Sequence, residues 1–230
     1  MNDPGIRYFH LWDTNPDDNG KLNRIGKVFP DQEIIVIDDF STDGTRKILQ
    51  NLNGIKYTKL ILNDTNRGKG YCIKKGIEKS TGDIILIQDA DLEYSPTDYK
   101  ILTDPIKNGY ADVVFGSRFI GSQQKRVLFF WHTVGNKFLT TLSNMFTNLN
   151  LTDMECCYKV FKKDVIKKLV LKENRFGIEP EITAKISKQN IKIYEVGVKY
   201  FGRKYDEGKK INWKDGFAAI YCIIIYNLFN

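Results

Sequence analysis

Pairs of acidic residues follow two apolar segments of this 230-residue sequence and are its clearest candidates for chemistry. Asp38 and Asp39 directly follow one apolar run, and Asp89 and Asp91 follow another. Side chains two residues apart in extended chain point to the same side, so the carboxylates of Asp89 and Asp91 can bind one ion. Carboxylate oxygens suit Mg²⁺ or Mn²⁺, which substrate phosphates commonly share. The alternative is that these acids only cap loops, since this short pattern also arises by chance.

The strands that carry these acids alternate with helices along the first half of the sequence. Each strand is a continuous apolar run, which is typical of strands buried on both faces of a parallel sheet. The alternation predicts an α/β fold with right-handed crossovers, in which ligands bind beyond the carboxyl ends of the strands. Strands are predicted at 6–12, 33–37, 59–62, 84–87 and 112–116, and helices at 45–51, 71–79 and from 96 onwards.

The second half of the sequence is predicted to contain longer and more apolar helices. Glu179 and Glu181 begin one of them, where acids favour the helix dipole, so capping explains these residues as well as chemistry does. Helices are predicted at 129–146, 179–188 and 213–229, and strands at 157–161 and 191–200.

The composition narrows the classes of partner and compartment. With 35 Lys and Arg against 28 Asp and Glu, the formal net charge is +7, which fits nucleic acid, an anionic membrane or a phosphorylated substrate. Nucleic acid is the least favoured, because the sequence contains no nucleic-acid-binding motif. The four cysteines lack metal-binding spacing and are expected to be reduced thiols. No secretory signal and no apolar run of about 20 residues is found, so a cytoplasmic protein is expected.

Several short motifs, taken together, resemble one enzyme family. The segment EIIVIDDFSTDGT resembles the first nucleotide-binding motif of the family 2 glycosyltransferases with the GT-A fold. Two later stretches resemble the polyprenyl-phosphate branch of that family, the dolichyl-phosphate mannose or glucose synthases. The motifs occur in the family's order: EIIVIDDFSTDGT at 33–45, NRGKG at 66–70, QDAD at 88–91, GSRF at 116–119, TDMECCYK at 152–159 and FGIEPE at 176–181.

This resemblance implies a fold, a domain organisation and an activity. The fold would be a GT-A, Rossmann-like, mostly parallel sheet flanked by helices, with a C-terminal acceptor-side extension and a terminal amphipathic helix. Residues 1–230 would form a single domain, with a nucleotide-sugar-binding half at about 1–120 and an acceptor half at about 121–230. The activity would be the inverting transfer of a hexose from UDP-glucose or GDP-mannose to a polyprenyl or dolichyl phosphate, dependent on Mg²⁺ or Mn²⁺.

The resemblance also implies roles for the acidic residues of the first half. Asp38 and Asp39 would hydrogen-bond the base and ribose of the nucleotide. Asp89 and Asp91 would hold the metal on the diphosphate, and Asp91, which would hold it most directly, would be a catalytic residue. Lys69, in its glycine-flanked loop, would either contact phosphate or be a surface lysine.

The acceptor side is implied to use two arginines and one acid. Arg118 and Arg203 would bind the acceptor phosphate or the diphosphate, because a guanidinium matches phosphate with a planar fork. Arg203 is alternatively a solvated loop charge. Asp153 would be the catalytic base or the group that orients the acceptor, and its structural alternative is a loop cap beside Thr152.

One expected motif is missing, and this keeps other functions open. The family's first strand normally ends in Pro-x-Tyr-Asn-Glu, whereas this sequence has His-Leu-Trp-Asp there. The alternatives to a lipid-phosphate transferase are an enzyme of the same fold with a glycan or other soluble acceptor, or a degenerate, non-catalytic homologue.

Two apolar segments suggest how a lipid acceptor would be reached. Segments 127–146 and 213–229 are rich in aromatic residues, and basic residues lie beside them. Such segments suit helices at a membrane interface. Peripheral contact with the cytoplasmic face of a membrane is therefore expected, and packing of both helices on the sheet is the alternative.

Overall fold

A computed structural model describes residues 6–12, 32–51, 58–89, 93–121, 125–127, 129–203 and 213–229. Side chains are described within these ranges except at 6–12, 58, 213 and 214. Asp91 and most of the loop after Arg203 lie outside the described residues.

Within the described residues, the strands form a single sheet of seven in the order β3-β2-β1-β4-β6-β5-β7. All neighbours are parallel except β6, which runs antiparallel between β4 and β5. This is the mostly parallel α/β architecture that the sequence predicts. The strands are β1 (Ile6–Trp12), β2 (Ile34–Asp38), β3 (Thr58–Leu62), β4 (Ile84–Asp89), β5 (Val113–Ser117), β6 (Lys159–Lys162) and β7 (Ile193–Gly197).

Helices connect the strands and cover the sheet. The strand at 6–12 is confirmed: β1 lies at the centre, paired with both β2 and β4. The helix expected from 96 onwards begins as a 3-10 turn at Pro96–Asp98. The α-helices are α1 (Thr45–Gln50), α2 (Lys69–Lys79), α3 (Tyr99–Lys107), α4 (Phe130–Thr147), α5 (Lys163–Ile166), α6 (Ile178–Ser187) and α7 (Trp213–Leu228).

The core lies on the central strands, as the apolar runs predict. Every residue of β2 and β5 is buried, and so is β4 as far as Gln88. All four cysteines are buried free thiols. Among the described residues, no helix is both long enough and apolar enough to cross a membrane.

Candidate active site

Asp38, at the end of β2, is bound within its own turn. Its carboxylate is buried and forms an ion pair with Arg46, with Nε and Oδ2 2.6 Å apart. The Ser41 backbone N–H donates to the same oxygen, and the Ser41 hydroxyl donates to the other. Asp38 thus fixes the turn that carries Asp39, and its side chain is not presented to a ligand.

Asp39 holds the loop that leads into α2. Its Oδ1 accepts from the backbone N–H of Arg67 at 2.8 Å and from Asn63 Nδ2 at 2.9 Å. Its Oδ2 accepts from the Gly68 N–H at 2.6 Å. The ends of β2 and β3 and the start of α2 are therefore connected through one carboxylate at the carboxyl edge of the sheet.

The two glycines around Lys69 are required by close packing. Gly68 has φ +92°, and a Cβ there would collide with the carbonyl oxygen of Asn174. A Cβ on Gly70 would lie 2.6 Å from the carbonyl oxygen of Glu173. The Tyr71 N–H also donates to the Asn174 carbonyl at 3.1 Å. The first turn of α2 is thus pressed against the segment before α6, and this packing fixes the position of Lys69.

Lys69 links the acid at the end of β4 to an acid of α6. Its Nζ is 2.9 Å from Asp89 Oδ2 and 2.6 Å from Glu179 Oε1, and its side chain is 16% exposed. Burial acts to lower the pKa of Lys69, but the charges of Asp89 and Glu179 outweigh burial and hold that pKa well above its usual value. Lys69 is therefore a charged, partly buried residue held between two acids, and the surface-lysine interpretation is wrong.

The end of β4 suits a divalent cation. Asp89 offers hard carboxylate oxygens, and the position already accepts one cation, the Lys69 ammonium. The second acid of the motif, Asp91, lies outside the described residues. Among the described side chains no cluster of three or more His, Cys, Asp or Glu residues could hold a metal ion. A metal would therefore be held by Asp89 with Asp91 and with substrate oxygens, where it would neutralise charge growing on a departing diphosphate.

Arg118 and Asp153 form a two-pronged ion pair beyond the end of β5. Arg118 Nε is 2.7 Å from Asp153 Oδ2 and its second nitrogen is 2.7 Å from Oδ1, while the Arg118 backbone N–H adds a bond of 2.9 Å. Asp153 is fully buried. Burial acts to lower the pKa of Arg118, but Asp153 outweighs burial and raises it. Asp153 is thus not the cap of its own loop.

Two further residues orient this pair. Asn136 of α4 lies so that its amide oxygen accepts from Arg118 at 2.6 Å and its nitrogen donates to Asp153 at 3.2 Å. Glu195 of β7 accepts from the backbone N–H groups of Thr152 and Asp153. Sequence reasoning missed both. The only signal for Asn136 was a polar residue within an apolar helix, and a single sequence does not show which face that residue occupies.

Arg203 lies on the segment that follows β7, where it is bound to Glu93. Its backbone N–H donates to Glu93 Oε1 at 2.8 Å, and its Nε lies 3.5 Å from the same oxygen. With its side chain 26% exposed, Arg203 is tethered and partly buried, unlike a solvated loop charge.

The acids of α6 do not cap that helix. Glu179 bonds to Lys69, and Glu181 accepts from the backbone N–H groups of Lys172 and Glu173. No side-chain hydrogen bond caps the start of α6. The capping interpretation is therefore wrong, because both carboxylates are needed by neighbouring segments.

The outer faces of α4 and α7 expose large apolar side chains. The two helices pack against each other. Trp131 is 77% and Phe217 is 66% exposed. The alternative that these helices lie entirely packed on the sheet is thus wrong for these faces. The exposed apolar residues are Phe130, Trp131, Val134, Phe138, Met145 and Phe146 on α4, and Phe217, Tyr221, Ile224 and Leu228 on α7.

Cations surround Phe119 where these helices approach the Arg118–Asp153 pair. Arg118, Lys125 and Lys137 place a charged group 5.8, 5.9 and 6.0 Å from the centre of the Phe119 ring. Positive charge therefore lies beside the Arg118–Asp153 pair and on the adjoining part of α4.

The fold and this site define the chain as a protein of the GT-A glycosyltransferase class. The crystal structure of glucosyl-3-phosphoglycerate synthase from Mycobacterium tuberculosis, with Mn²⁺, UDP and phosphoglyceric acid, superposes with a TM-score of 0.75. The two chains are 15% identical, and the match covers 98% of this chain and 80% of the other. More particularly, residues 22–170 match the glycosyl transferase family 2 profile, and the chain belongs to that family.

Two curated relatives are also similar to this chain in sequence. The UDP-N-acetylglucosamine–dolichyl-phosphate N-acetylglucosaminyltransferase of Methanococcus voltae is 26% identical over 213 residues, covering 85% of each protein. Glycosyltransferase AglJ of Haloferax volcanii is 27% identical over 171 residues. That match covers 74% of this chain, and the chain spans 54% of AglJ.

Proposed function

We propose that this protein transfers a hexosyl group, with inversion, from a nucleotide sugar to a polyprenyl or dolichyl phosphate. The donor would be UDP-glucose or GDP-mannose. One observation carries the proposal: Lys69 and Asp89 lie at the carboxyl edge of the sheet near a second centre, Arg118 with Asp153, that offers a planar cation to an anionic acceptor. Two relatives named above bear on the donor and acceptor classes, since one is named for a dolichyl-phosphate acceptor and the other was crystallised with UDP.

The proposed reaction balances without a base on the protein. An ionised oxygen of the acceptor phosphate attacks C1 of the sugar, the bond from C1 to the diphosphate breaks, and the nucleoside diphosphate leaves with the electron pair. Because the attacking oxygen carries no proton, no proton has to be removed. Asp153 then acts by holding Arg118 in position. Lys69, Asp89 and Asp91 act on the donor side, where charge grows on the leaving group.

The lipid part of the acceptor is supported by the apolar faces of α4 and α7. We propose that these faces rest on an anionic bilayer. Their exposed aromatic side chains suit the interfacial region of a membrane, and the exposed cations Lys125 and Lys137 beside them complement anionic lipid headgroups. The same cations lie next to Arg118, so an acceptor phosphate at the headgroup level would meet the proposed acceptor site.

The test is turnover by the wild-type protein and by Arg118→Lys. With Mg²⁺ or Mn²⁺, a nucleotide sugar and a short polyprenyl phosphate, the wild type should release nucleoside diphosphate only when the lipid phosphate is present. Lysine keeps the charge but loses the planar fork, so kcat/KM for the acceptor should fall by about 10- to 100-fold with donor affinity unchanged.

The control is Lys162→Met, which breaks an ion pair with Asp112 at the amino end of β5, away from the proposed site. It should leave the acceptor KM unchanged. Release that does not depend on lipid phosphate would contradict the proposal. Failure of the wild type to bind either UDP or GDP would favour the degenerate homologue.

A soluble anionic acceptor is the second candidate. The observation that favours it is the fold match to an enzyme crystallised with phosphoglyceric acid, which offers a phosphate and a carboxylate to a cationic site. Turnover with such acids at rates above those with polyprenyl phosphate would select it.

A further inference from the structure

Two buried carboxylate oxygens between the donor and acceptor residues have no hydrogen-bond partner among the described residues. They are Glu179 Oε2 and Glu155 Oε1. Glu179 as a whole is 4% exposed, and only its other oxygen, Oε1, is shown paired, with Lys69. A buried acceptor that lacks a donor costs free energy, so each such oxygen requires an explanation.

The two carboxylates interact electrostatically with each other and with residues of both halves of the site. Glu179 is joined through Lys69 to Asp89, on the donor side. Glu155 follows Asp153 by two residues. Burial and then the charge of Glu179 raise the pKa of Glu155 to about 7, and the charges of Lys159, Arg118 and Lys69 act against that shift. Glu155 therefore lies within electrostatic range of both Lys69 and Arg118.

We infer that Glu155 and Glu179 bind hydroxyl groups of the donor's hexose and so select the sugar that is transferred. The inference rests on the proposed function, because it takes the hexose to lie between the leaving diphosphate and the attacking acceptor. A sugar hydroxyl can donate a hydrogen bond to a carboxylate oxygen and can also accept one from a protonated carboxyl group, so the hexose would supply what the two orphaned oxygens lack. A site that pairs with a substrate hydroxyl discriminates strongly against analogues without it.

A metal ion is a poorer occupant of this place. Lys69 already neutralises Glu179, and the described acids form no cluster of three or more that could hold a metal. A neutral ligand with several hydroxyls satisfies both oxygens without adding charge to a buried site.

The experiment compares nucleotide sugars with nucleoside diphosphates in Glu155→Gln and Glu179→Gln. UDP, GDP, UDP-glucose, GDP-mannose and the monodeoxy forms of the preferred donor are titrated by calorimetry, and kcat/KM is measured for each sugar. Each variant should bind the nucleoside diphosphate within about twofold of the wild type. Its kcat/KM for the intact donor should fall by about tenfold or more. One monodeoxy donor should lose activity in the wild type but show little further loss in the variant.

Glu181→Gln is the matched control, since Glu181 lies on the same helix and both of its oxygens are paired. It should lower stability and leave all the deoxy-sugar penalties unchanged. Deoxy-sugar penalties in Glu155→Gln and Glu179→Gln equal to those of the wild type would overturn the inference, as would an equal loss of affinity for nucleoside diphosphate and nucleotide sugar. A wild type that binds no nucleotide at all would overturn the proposed function and this inference together, which distinguishes the two failures.

Discussion

At the residue scale, the hydrogen bonds to the Asp153 carboxylate bear on its role, which the resemblance gave as either catalytic base or orienting group. Both oxygens accept from Arg118 at 2.7 Å, and the Arg118 backbone N–H adds a third bond. Asp153 is fully buried and both of its oxygens already accept hydrogen bonds, so it is poorly placed to take a substrate proton. The geometry favours an orienting role. Removing either partner would leave a buried charge unpaired, which typically costs about 3–5 kcal/mol.

Glu155 gives the protein a pH dependence that can be measured. Its pKa is about 7 in the folded state against an ordinary 4.5, so the folded protein holds a proton that the unfolded chain releases. Stability from this group is fully present below pH 4.5 and is lost as the pH rises through 7. Glutamine cannot ionise, so Glu155→Gln lacks this pH dependence. The free energy of unfolding of the wild type should fall by roughly 2–3 kcal/mol relative to that of the variant between pH 4.5 and 8.

Urea unfolding of both proteins at several pH values measures this difference. Subtracting one curve of unfolding free energy against pH from the other cancels the contributions of all other titrating groups. Parallel curves across this range would show that Glu155 ionises normally, with its carboxylate in contact with water.

The sequence predicted individual residues unevenly. Asp89, Lys69, Arg118 and Asp153 were identified because they sit in ordered motifs beside strand ends, and the structure brings them to one edge of the sheet. Their catalytic and binding roles remain predictions. Glu155 was missed because nothing in a single sequence distinguishes an acid with a buried, unpaired oxygen from a solvated one. That property depends on what packs around it.

At the element scale, the contact between the start of α2 and the segment before α6 requires glycine at the contact points. Gly68→Ala should destabilise the protein by about 2–4 kcal/mol, because alanine meets both an unfavourable φ and the Asn174 carbonyl. Since this packing fixes Lys69, nucleotide affinity should fall too. Thermal unfolding and UDP and GDP titration measure the two effects.

Gly135→Ala is the matched control for this substitution. Gly135 lies within α4, and a Cβ there would meet nothing within 4 Å. Alanine favours the helix over glycine by about 0.5–1 kcal/mol, so this variant should be slightly stabilised. If Gly68→Ala were equally harmless, the close contact would not constrain α2.

The elements themselves were largely predictable. Continuous apolar runs indicated β2, β4 and β5 because each is buried on both faces. The 157–161 strand was predicted, but its place was not: β6 inserts antiparallel between β4 and β5. Strand order depends on pairing between distant residues, and local periodicity carries no information about it.

At the scale of the whole molecule, the apolar faces of α4 and α7 predict binding to a bilayer. The protein should float with vesicles that contain anionic lipid at low salt and bind less as salt rises, because the cations beside these faces are screened. Replacing Trp131 and Phe217 by serine should weaken binding by more than about tenfold, since each aromatic contributes roughly 1.5 kcal/mol or more when buried. Vesicle flotation gives the bound fraction.

Tyr110→Ser is the control, and it tests whether the loss of any exposed aromatic side chain weakens vesicle binding. Tyr110 is 61% exposed and lies in the turn before β5, at the amino end of that strand. This variant should bind vesicles like the wild type. Flotation that is equal for all three proteins, or absent in the wild type at low salt, would contradict the membrane proposal.

The position of β6 has a consequence for the order in which the protein acquires its structure during synthesis. β4 and β5 are not neighbours, because β6, at Lys159–Lys162, lies between them and pairs with both. A nascent chain that has reached residue 120 therefore leaves one edge of β4 and both edges of β5 without their partners, although all its nucleotide motifs have been translated. Such edges attract other chains. The ribosome must deliver about 40 further residues before β6 can join β4 to β5. The sheet is complete only when β7, at Ile193–Gly197, has followed, and until then a chaperone has exposed edges to protect.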